Sequence, residues 1–393
     1  MGKGQGKAER AYDIVLYGAT GFVGKLTAEY LAKYAPEGLR WAIAGRNAEK
    51  LAALREQLPG GAEVGVLQAD GSDARAVREL ARQARVVATT VGPYVIHGEE
   101  LVAACADEGT DYLDLTGESE FVDQTFVRHN ARARETGARI VHAAGFDSIP
   151  HDLGAYFTVQ QLPKDVPITV DGFVRAAGMF SGGTFNSTLI GLSRTRQATA
   201  AAQVRKLHEP HVEGRRVYAP VSAPRFAGEV GAWALPLPTL DAQVVQRSAA
   251  ALLSYGPDFR YRHYAAVKTL PFVVGGVALV AALVAAAQVP PLRLWLGDRL
   301  KPGEGPSAEK RAKSWFSVRF VGEGGGRRVF TEVAGGDPGY GETAKMLAES
   351  ALCLAFDDLP VTAGQVTTAV AMGDALIERL RTAGITFRVV ASR

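Results

Sequence analysis

Between Asp13 and Leu31 the chain reads DIVLYGATGFVGKLTAEYL: a short apolar run meets a glycine-rich turn and passes at once into a helical pattern. Ile14, Val15, Leu16 and Tyr17 suit a buried strand. Glycines follow at Gly18, Gly21 and Gly24. In that context GxxGxxG describes a strand–turn–helix whose helix N-terminus takes a dinucleotide pyrophosphate. Gly18 permits the tight turn, Gly21 lets backbone N–H groups approach the phosphates, and Gly24 lets the helix pack closely on the strand. Ala19, Thr20, Phe22 and Val23 complete the phosphate-facing turn. The rival reading is a strand–helix turn that is merely glycine-rich.

Strand and helix patterns then alternate as far as "ARIVHAAGF", with apolar strands throughout. Repeated units of this kind imply a parallel sheet with helices on both faces. The predicted fold is α/β: an N-terminal doubly wound parallel (Rossmann) sheet, then a second α+β substrate or association domain. The expected divisions are a disordered lead-in at 1–11, a dinucleotide-binding domain at 12–150 and the second domain at 151–393. A chain of 393 residues accommodates both cores.

Composition excludes several classes. A net charge of +3 is too small for a dedicated nucleic-acid binder. Two cysteines, Cys105 and Cys353, cannot build a disulfide framework or a thiolate metal site, and they suit a reducing cytoplasm. Seven scattered histidines lack metal-ligand spacing, so no metal is expected. No nucleophile turn is present. The cofactor must then carry the chemistry.

Ligands on such sheets bind beyond the strand C-termini, so the residues that close each strand are the informative ones. The second strand ends in Gly45-Arg46-Asn47, with no carboxylate for a ribose hydroxyl. Arg46 suits a 2′-phosphate instead, which points to NADP(H); the bland alternative is a solvated arginine at a helix start. Asp70 closes the third strand, either accepting from the adenine amino group or capping the next helix. The fourth ends in Thr89-Thr90-Val91-Gly92-Pro93-Tyr94, a turn placed near the nicotinamide ribose through Thr90, Gly92 and Pro93. Tyr94 then either donates a proton or walls the ring. The sixth ends in Gly145-Phe146-Asp147. Tyr94 and Asp147 are the candidate catalytic residues.

In the second half, Ser181, Gly182, Gly183 and Thr184 mark either a substrate approach or a plain turn. "SWFSVRFVGEGGGRRVFTEVAGG" is a β-hairpin, followed by helices near 341–356 and 370–383 and a last strand, "TFRVV". Together they predict a smaller antiparallel sheet covered by helices. Residues 272–289 are apolar except for Gln288 and are flanked by basic residues. This segment is read as docking on a membrane surface, as a buried or homodimer-interface helix, or as a membrane crossing. The crossing would strand the C-terminal elements on the far side.

GATGFVG, AGR, VGPY, YLDLTGE and GFDSIPHDLG occur in that order, followed by GGDPGYGETAKMLAESALCLA. Together they resemble the saccharopine dehydrogenase-like oxidoreductases, and within them the actinobacterial trans-acting enoyl reductases. The resemblance implies NADP(H) binding and reduction of an α,β-unsaturated acyl intermediate, held on a polyketide synthase during lipid biosynthesis. It further implies a cytoplasmic enzyme, peripheral to the inner face of the plasma membrane if 272–289 docks there. His151 departs from the family pattern of a small residue, so no catalytic histidine is carried over. In this reading enolate charge falls on backbone N–H groups after Gly92 or Gly145, and Tyr94 or water protonates the α-carbon. The alternatives are a saccharopine-like enzyme acting on an imine or amino acid, and a membrane-associated NADP-binding scaffold without turnover.

Overall fold

The computed structural model describes residues 10–177, 189–209, 212–237, 239–269, 275, 282–289, 291–292 and 305–392. The predicted turn at 181–184, half of the apolar segment 272–289 and residues 1–9 of the lead-in lie outside these. Arg10 is within them, and its guanidinium donates to the carbonyls of Ala81 (2.9 Å) and Ala84 (2.6 Å).

In chain order the first half comprises β1 (Tyr12–Tyr17), α1 (Phe22–Tyr34), β2 (Trp41–Gly45), α2 (Ala48–Gln57), β3 (Gly65–Gln68), α3 (Ala74–Gln83) and β4 (Ala84–Thr89). A single helical turn at Tyr94–His97 precedes α4 (Glu99–Glu108), β5 (Asp111–Leu113), α5 (Ser119–Thr136), β6 (Arg139–Val141) and α6 (Ile149–Val159). The second half holds β7 (Ile168–Ala177), α7 (Thr195–His208), β8 (Arg216–Tyr218), β9 (Arg225–Ala227), β10 (Ala232–Pro236), α8 (Leu240–Ala251) and β11 (Asp258–Val267). It ends with β12 (Trp315–Gly324), β13 (Arg327–Gly335), α9 (Gly341–Phe356), β14 (Gly364–Val366), α10 (Gly373–Thr382) and β15 (Thr386–Ser392).

The first sheet runs β14-β6-β5-β4-β1-β2-β3, and all its pairs are parallel. Strand order reverses at β1, which pairs with both β2 and β4. The crevice beyond the C-terminal ends of β1 and β4 is therefore the expected ligand position. Alternation along β1 divides the core in two. Ile14 and Leu16 pack with Met346, Leu347 and Ala351 of α9, while Val15 and Tyr17 pack with Leu101, Val102 and Phe121 of α4 and α5. Each fully buried aliphatic side chain contributes about 1.5–3 kcal/mol. The C-terminal α9 thus covers one face of the first sheet, and β14 extends its edge.

The second sheet is not the smaller antiparallel one expected. It has eight strands, β15-β13-β12-β7-β11-β10-β9 with β8 beside β11, and its β7–β11 and β8–β11 pairs are parallel. Of the strands beyond those expected, β8, β9 and β10 are only three to five residues long, too short to register as alternation in sequence, whereas β11 has ten. The expected helix at 370–383 is broken at Gly373, whose φ is +43°. Among the described residues no helix is long and apolar enough to cross a membrane.

Candidate active site

The glycine turn joins β1 to α1. Gly18 has φ +84°, and a Cβ there would lie 2.5 Å from Val91 Cγ2. A Cβ on Gly24 would lie 2.2 Å from the Gly18 carbonyl oxygen, so α1 can seat against the turn only because position 24 has no side chain. Gly21 differs. It caps α1, and the one atom that its added Cβ would approach is the Gly18 oxygen at 3.3 Å. Its outward side is open to a ligand. The helix's first N–H groups lack intrahelical partners, and its first turn carries no acidic residue. A pyrophosphate fits this cradle.

The neighbouring strand ends converge on the turn. The Thr90 hydroxyl donates to the Gly18 carbonyl at 3.1 Å. Arg46 is exposed past β2, while Asn47 accepts from the Lys50 N–H at 2.9 Å and caps α2. Asp70 is also exposed. Its carboxylate accepts from the Ser72 N–H (2.9 Å) and hydroxyl (2.7 Å), which together with Arg46 hold it below the usual carboxylate range. Asp70 does not cap the next helix, because Asp73 does, accepting from the N–H groups of Arg75 and Ala76. The 1:2 geometry of Asp70 with Ser72 closes its own turn first.

Tyr94 is buried, and its hydroxyl is engaged on both sides. It donates to the Thr89 carbonyl (3.2 Å) and accepts from the Leu115 N–H (3.1 Å). Burial and nearby carboxylates push this phenol well above its ordinary value. Glu118 reaches back to accept from the N–H groups of Tyr94 (2.9 Å) and Val95 (2.8 Å). The enolate donors expected after Gly92 and Gly145 are therefore taken. Pro93 has no N–H, Tyr94 and Val95 serve Glu118, and the Phe146 N–H donates to Thr343 Oγ1 at 3.2 Å.

Asp114 fixes the loop beyond β6. It accepts from the Ala143 N–H (2.9 Å), the Tyr112 hydroxyl (3.0 Å) and His142 Nδ1 (2.6 Å), holding Ala143 at φ +57°. A non-glycine residue in that region marks a loop constrained by its surroundings. The loop carries Asp147, whose Oδ2 lies 3.3 Å from where a Gly117 Cβ would be. The Asp147 side chain is exposed by its accessible surface, although many protein atoms lie around its carboxyl. This burial, together with the charge of Asp241, pushes its carboxyl up to about 6, against an opposing effect of His151.

Residues 14–141 match the family model described as the saccharopine dehydrogenase NADP binding domain. A trans-acting enoyl reductase of Mycobacterium bovis (strain BCG / Pasteur 1173P2) is 35% identical, over 96% of this chain and 97% of its own length. A Mycobacterium tuberculosis protein that carries the same name provisionally is 39% identical over the same shares. The chain belongs to the saccharopine dehydrogenase-like oxidoreductases, in the trans-acting enoyl reductase branch. A solved saccharopine dehydrogenase of Saccharomyces cerevisiae shares the fold, with a TM-score of 0.57 at 13% identity, covering 97% of this chain and 100% of that one. This chain is accordingly an oxidoreductase that binds NADP(H).

In this saccharopine dehydrogenase-like oxidoreductase, Gly18–Gly24, Arg46, Asp70, Thr90, Tyr94 and Asp147 all lie at strand ends of the first sheet. Sequence reasoning missed what the second half adds. Tyr340 packs edge-on against Phe22 at 4.9 Å between ring centroids, and the Arg311 guanidinium lies 5.5 Å from the same ring. Neither has a local motif. Among the described residues no group of His, Cys, Asp or Glu is disposed to hold a metal ion. A separate cavity of about 370 Å3 is lined by Asp171, Arg225, Glu229 and Arg262 of the second sheet. Arg225 and Arg262 are paired with Asp171, Arg328 of the same lining is paired with Glu323, and the cavity lies away from the strand ends that frame the glycine turn.

Proposed function

We propose that this oxidoreductase reduces the carbon–carbon double bond of an α,β-unsaturated acyl thioester, presented on a carrier of a partner synthase. The observation that carries this reading is the charge set around Asp147. Asp147 feels Asp241 and His151, and among the described residues no Arg or Lys acts on it. A saccharopine-like substrate with several carboxylates needs cations converging there; an uncharged acyl chain does not. The relatives' names support the same class.

Gly18, Ala19, Thr20, Gly21, Phe22, Val23 and Gly24 would hold the pyrophosphate, Arg46 the 2′-phosphate and Asp70 the adenine edge. Thr90, Gly92 and Pro93 would border the nicotinamide ribose. When bound, NADPH supplies the hydride equivalent taken up at the β-carbon. Asp147 holds a proton at its carboxyl and delivers it to the α-carbon, a general-acid contribution of about 10²–10⁴-fold. Tyr94 acts as a wall, because its hydroxyl is engaged with Thr89 and Leu115.

The test offers purified protein and NADPH either a medium-chain enoyl thioester or a dicarboxylic imino substrate. The expected result is NADPH oxidation with the thioester alone. Oxidation with the imino substrate alone supports the saccharopine-like alternative, and tight NADPH binding with neither oxidised supports a scaffold; both contradict the proposal.

A further inference from the structure

Phe22 is the first residue of α1, directly after Gly21 of the glycine turn, and three positions from the second half of the chain meet its ring. Tyr340 packs against it edge-on at 4.9 Å between centroids. A Cβ added at Gly305 would lie 2.5 Å from Phe22 Cε1, so the backbone there rests on the ring itself. The Arg311 guanidinium stands over the ring at 5.5 Å from its centroid. Arg311 is half-buried and is set by its own short segment. Ser307 caps a helical turn at Ala308–Ala312, and Arg311 Nη1 donates to the Pro306 carbonyl at 2.9 Å. That bond uses one of the five N–H donors of a guanidinium. Among the described residues no carboxylate pairs with Arg311. Glu342, two positions after Tyr340, is taken by Lys345 at 2.8 Å.

For a cation that serves the fold alone, this is the wrong place. A helix N-terminus carries partial positive charge and favours anions beside it. The first turn of α1 supplies none, because it has no acidic residue and Gly21 has no side chain with which to cap it. The ring of Phe22 attracts the guanidinium, but a ring forms no hydrogen bonds with the planar fork of donors. An anion held between the guanidinium and the helix end satisfies both charges, and a phosphate matches the fork. The cradle at Gly21 takes that same group, a pyrophosphate.

We propose that Arg311 is a further cofactor-binding residue: held over Phe22, its guanidinium pairs with the pyrophosphate of NADP(H), so that the second half of the chain completes the phosphate site of the first. Arg46 and Arg311 then divide the cofactor's charge, the first taking the 2′-phosphate and the second the pyrophosphate. The inference rests on NADP(H) binding and not on which substrate is reduced.

The experiment titrates NADPH and NADH by fluorescence, at low and high salt, into wild type, Arg311→Gln, Arg311→Lys and Arg46→Ala. Melts without nucleotide report folding. The residues at 307–310 and 312–313 are exposed, so substitution at 311 is expected to leave the melt unchanged. Arg311→Gln is expected to weaken NADPH and NADH by the same factor, roughly 10-fold to 100-fold, because both carry the pyrophosphate. Its Kd is expected to depend less on salt than that of wild type. Arg311→Lys, which keeps the charge without the fork, is expected to recover part of the loss. Arg46→Ala is expected to weaken NADPH alone. Wild-type affinity in a folded Arg311→Gln overturns the proposal, as does a loss confined to NADPH, which assigns Arg311 to the 2′-phosphate. A loss with a lowered melt, wild-type salt dependence and no recovery in Arg311→Lys reduces Arg311 to packing on Phe22 and overturns it too. Arg311→Met, which keeps the stem beside the ring, is read in the same way if Arg311→Gln fails to fold. A protein that binds NADPH yet reduces no enoyl thioester contradicts the proposed substrate and leaves these affinities standing.

Discussion

Whether Asp147 holds a proton near neutral pH depends on burial and Asp241 pushing up and His151 pulling down, with a net position at about 6. A donor must be protonated, so kcat is expected to fall as pH rises through that value, which a steady-state pH profile measures. Asp147→Asn is expected to lower kcat by about 10²–10⁴-fold while leaving the NADPH Kd unchanged in a fluorescence titration. Arg46 makes the complementary case. Arg46→Ala is expected to weaken NADPH by roughly 1.5–3 kcal/mol, the worth of a charged hydrogen bond, and to leave NADH untouched. Arg46 and the glycines are legible in sequence because their role depends on neighbours within one strand–turn–helix. The setting of Asp147 is not, because Asp241 arrives from a helix 94 residues further on, the difference between positions 147 and 241. His151 illustrates the limit: sequence shows only a departure from a family pattern, and burial beside Asp241 gives it a context.

Among elements, the β1–α1 junction leaves the least freedom. Gly24→Ala places a methyl 2.2 Å from a backbone oxygen, which no rotamer can relieve, so α1 must move. A loss of roughly 1–3 kcal/mol in denaturant titration is expected, with weaker NADPH binding. Gly191→Ala, in a helical turn where an added Cβ meets nothing within 4 Å, is the control and is expected to cost no stability and to leave NADPH binding unchanged. The β12–β13 hairpin was readable from its alternation, and Phe316, Val318 and Phe320 do share one buried face. Strand β14 was not. It has three residues, and its place follows from parallel pairing to β6, more than 200 positions earlier in sequence.

At the scale of the whole molecule, two sheets share one apolar core in which α9, from the C-terminal end, covers β1, β4 and β5. The second sheet is also pinned on its outer side. Glu332 of β13 accepts from Ser317 (2.8 Å) and Arg319 (3.0 Å) of β12 and from Arg388 Nε (2.9 Å) of β15. Burial acts to raise the Glu332 carboxyl, but these donors outweigh it and bring it from 4.5 to about 2. A depressed carboxyl contributes stability that is complete above its unfolded value and lost as pH falls through the folded one. Thermal melts are therefore expected to lose this contribution between about pH 4.5 and 2. It is worth roughly 1–3 kcal/mol after discounting for the exposed arginines. Glu332→Gln is expected to melt lower at pH 7 and to converge with wild type in acid.

The central claim, hydride and proton added across an acyl double bond, is tested most directly in D2O. Purified protein, NADPH and a medium-chain enoyl thioester are incubated, and the product is examined by mass spectrometry and NMR. The expected product is the saturated thioester with one deuterium, at the α-carbon, formed in step with NADPH oxidation. Recovery of unreduced thioester from a protein that binds NADPH would contradict the claim.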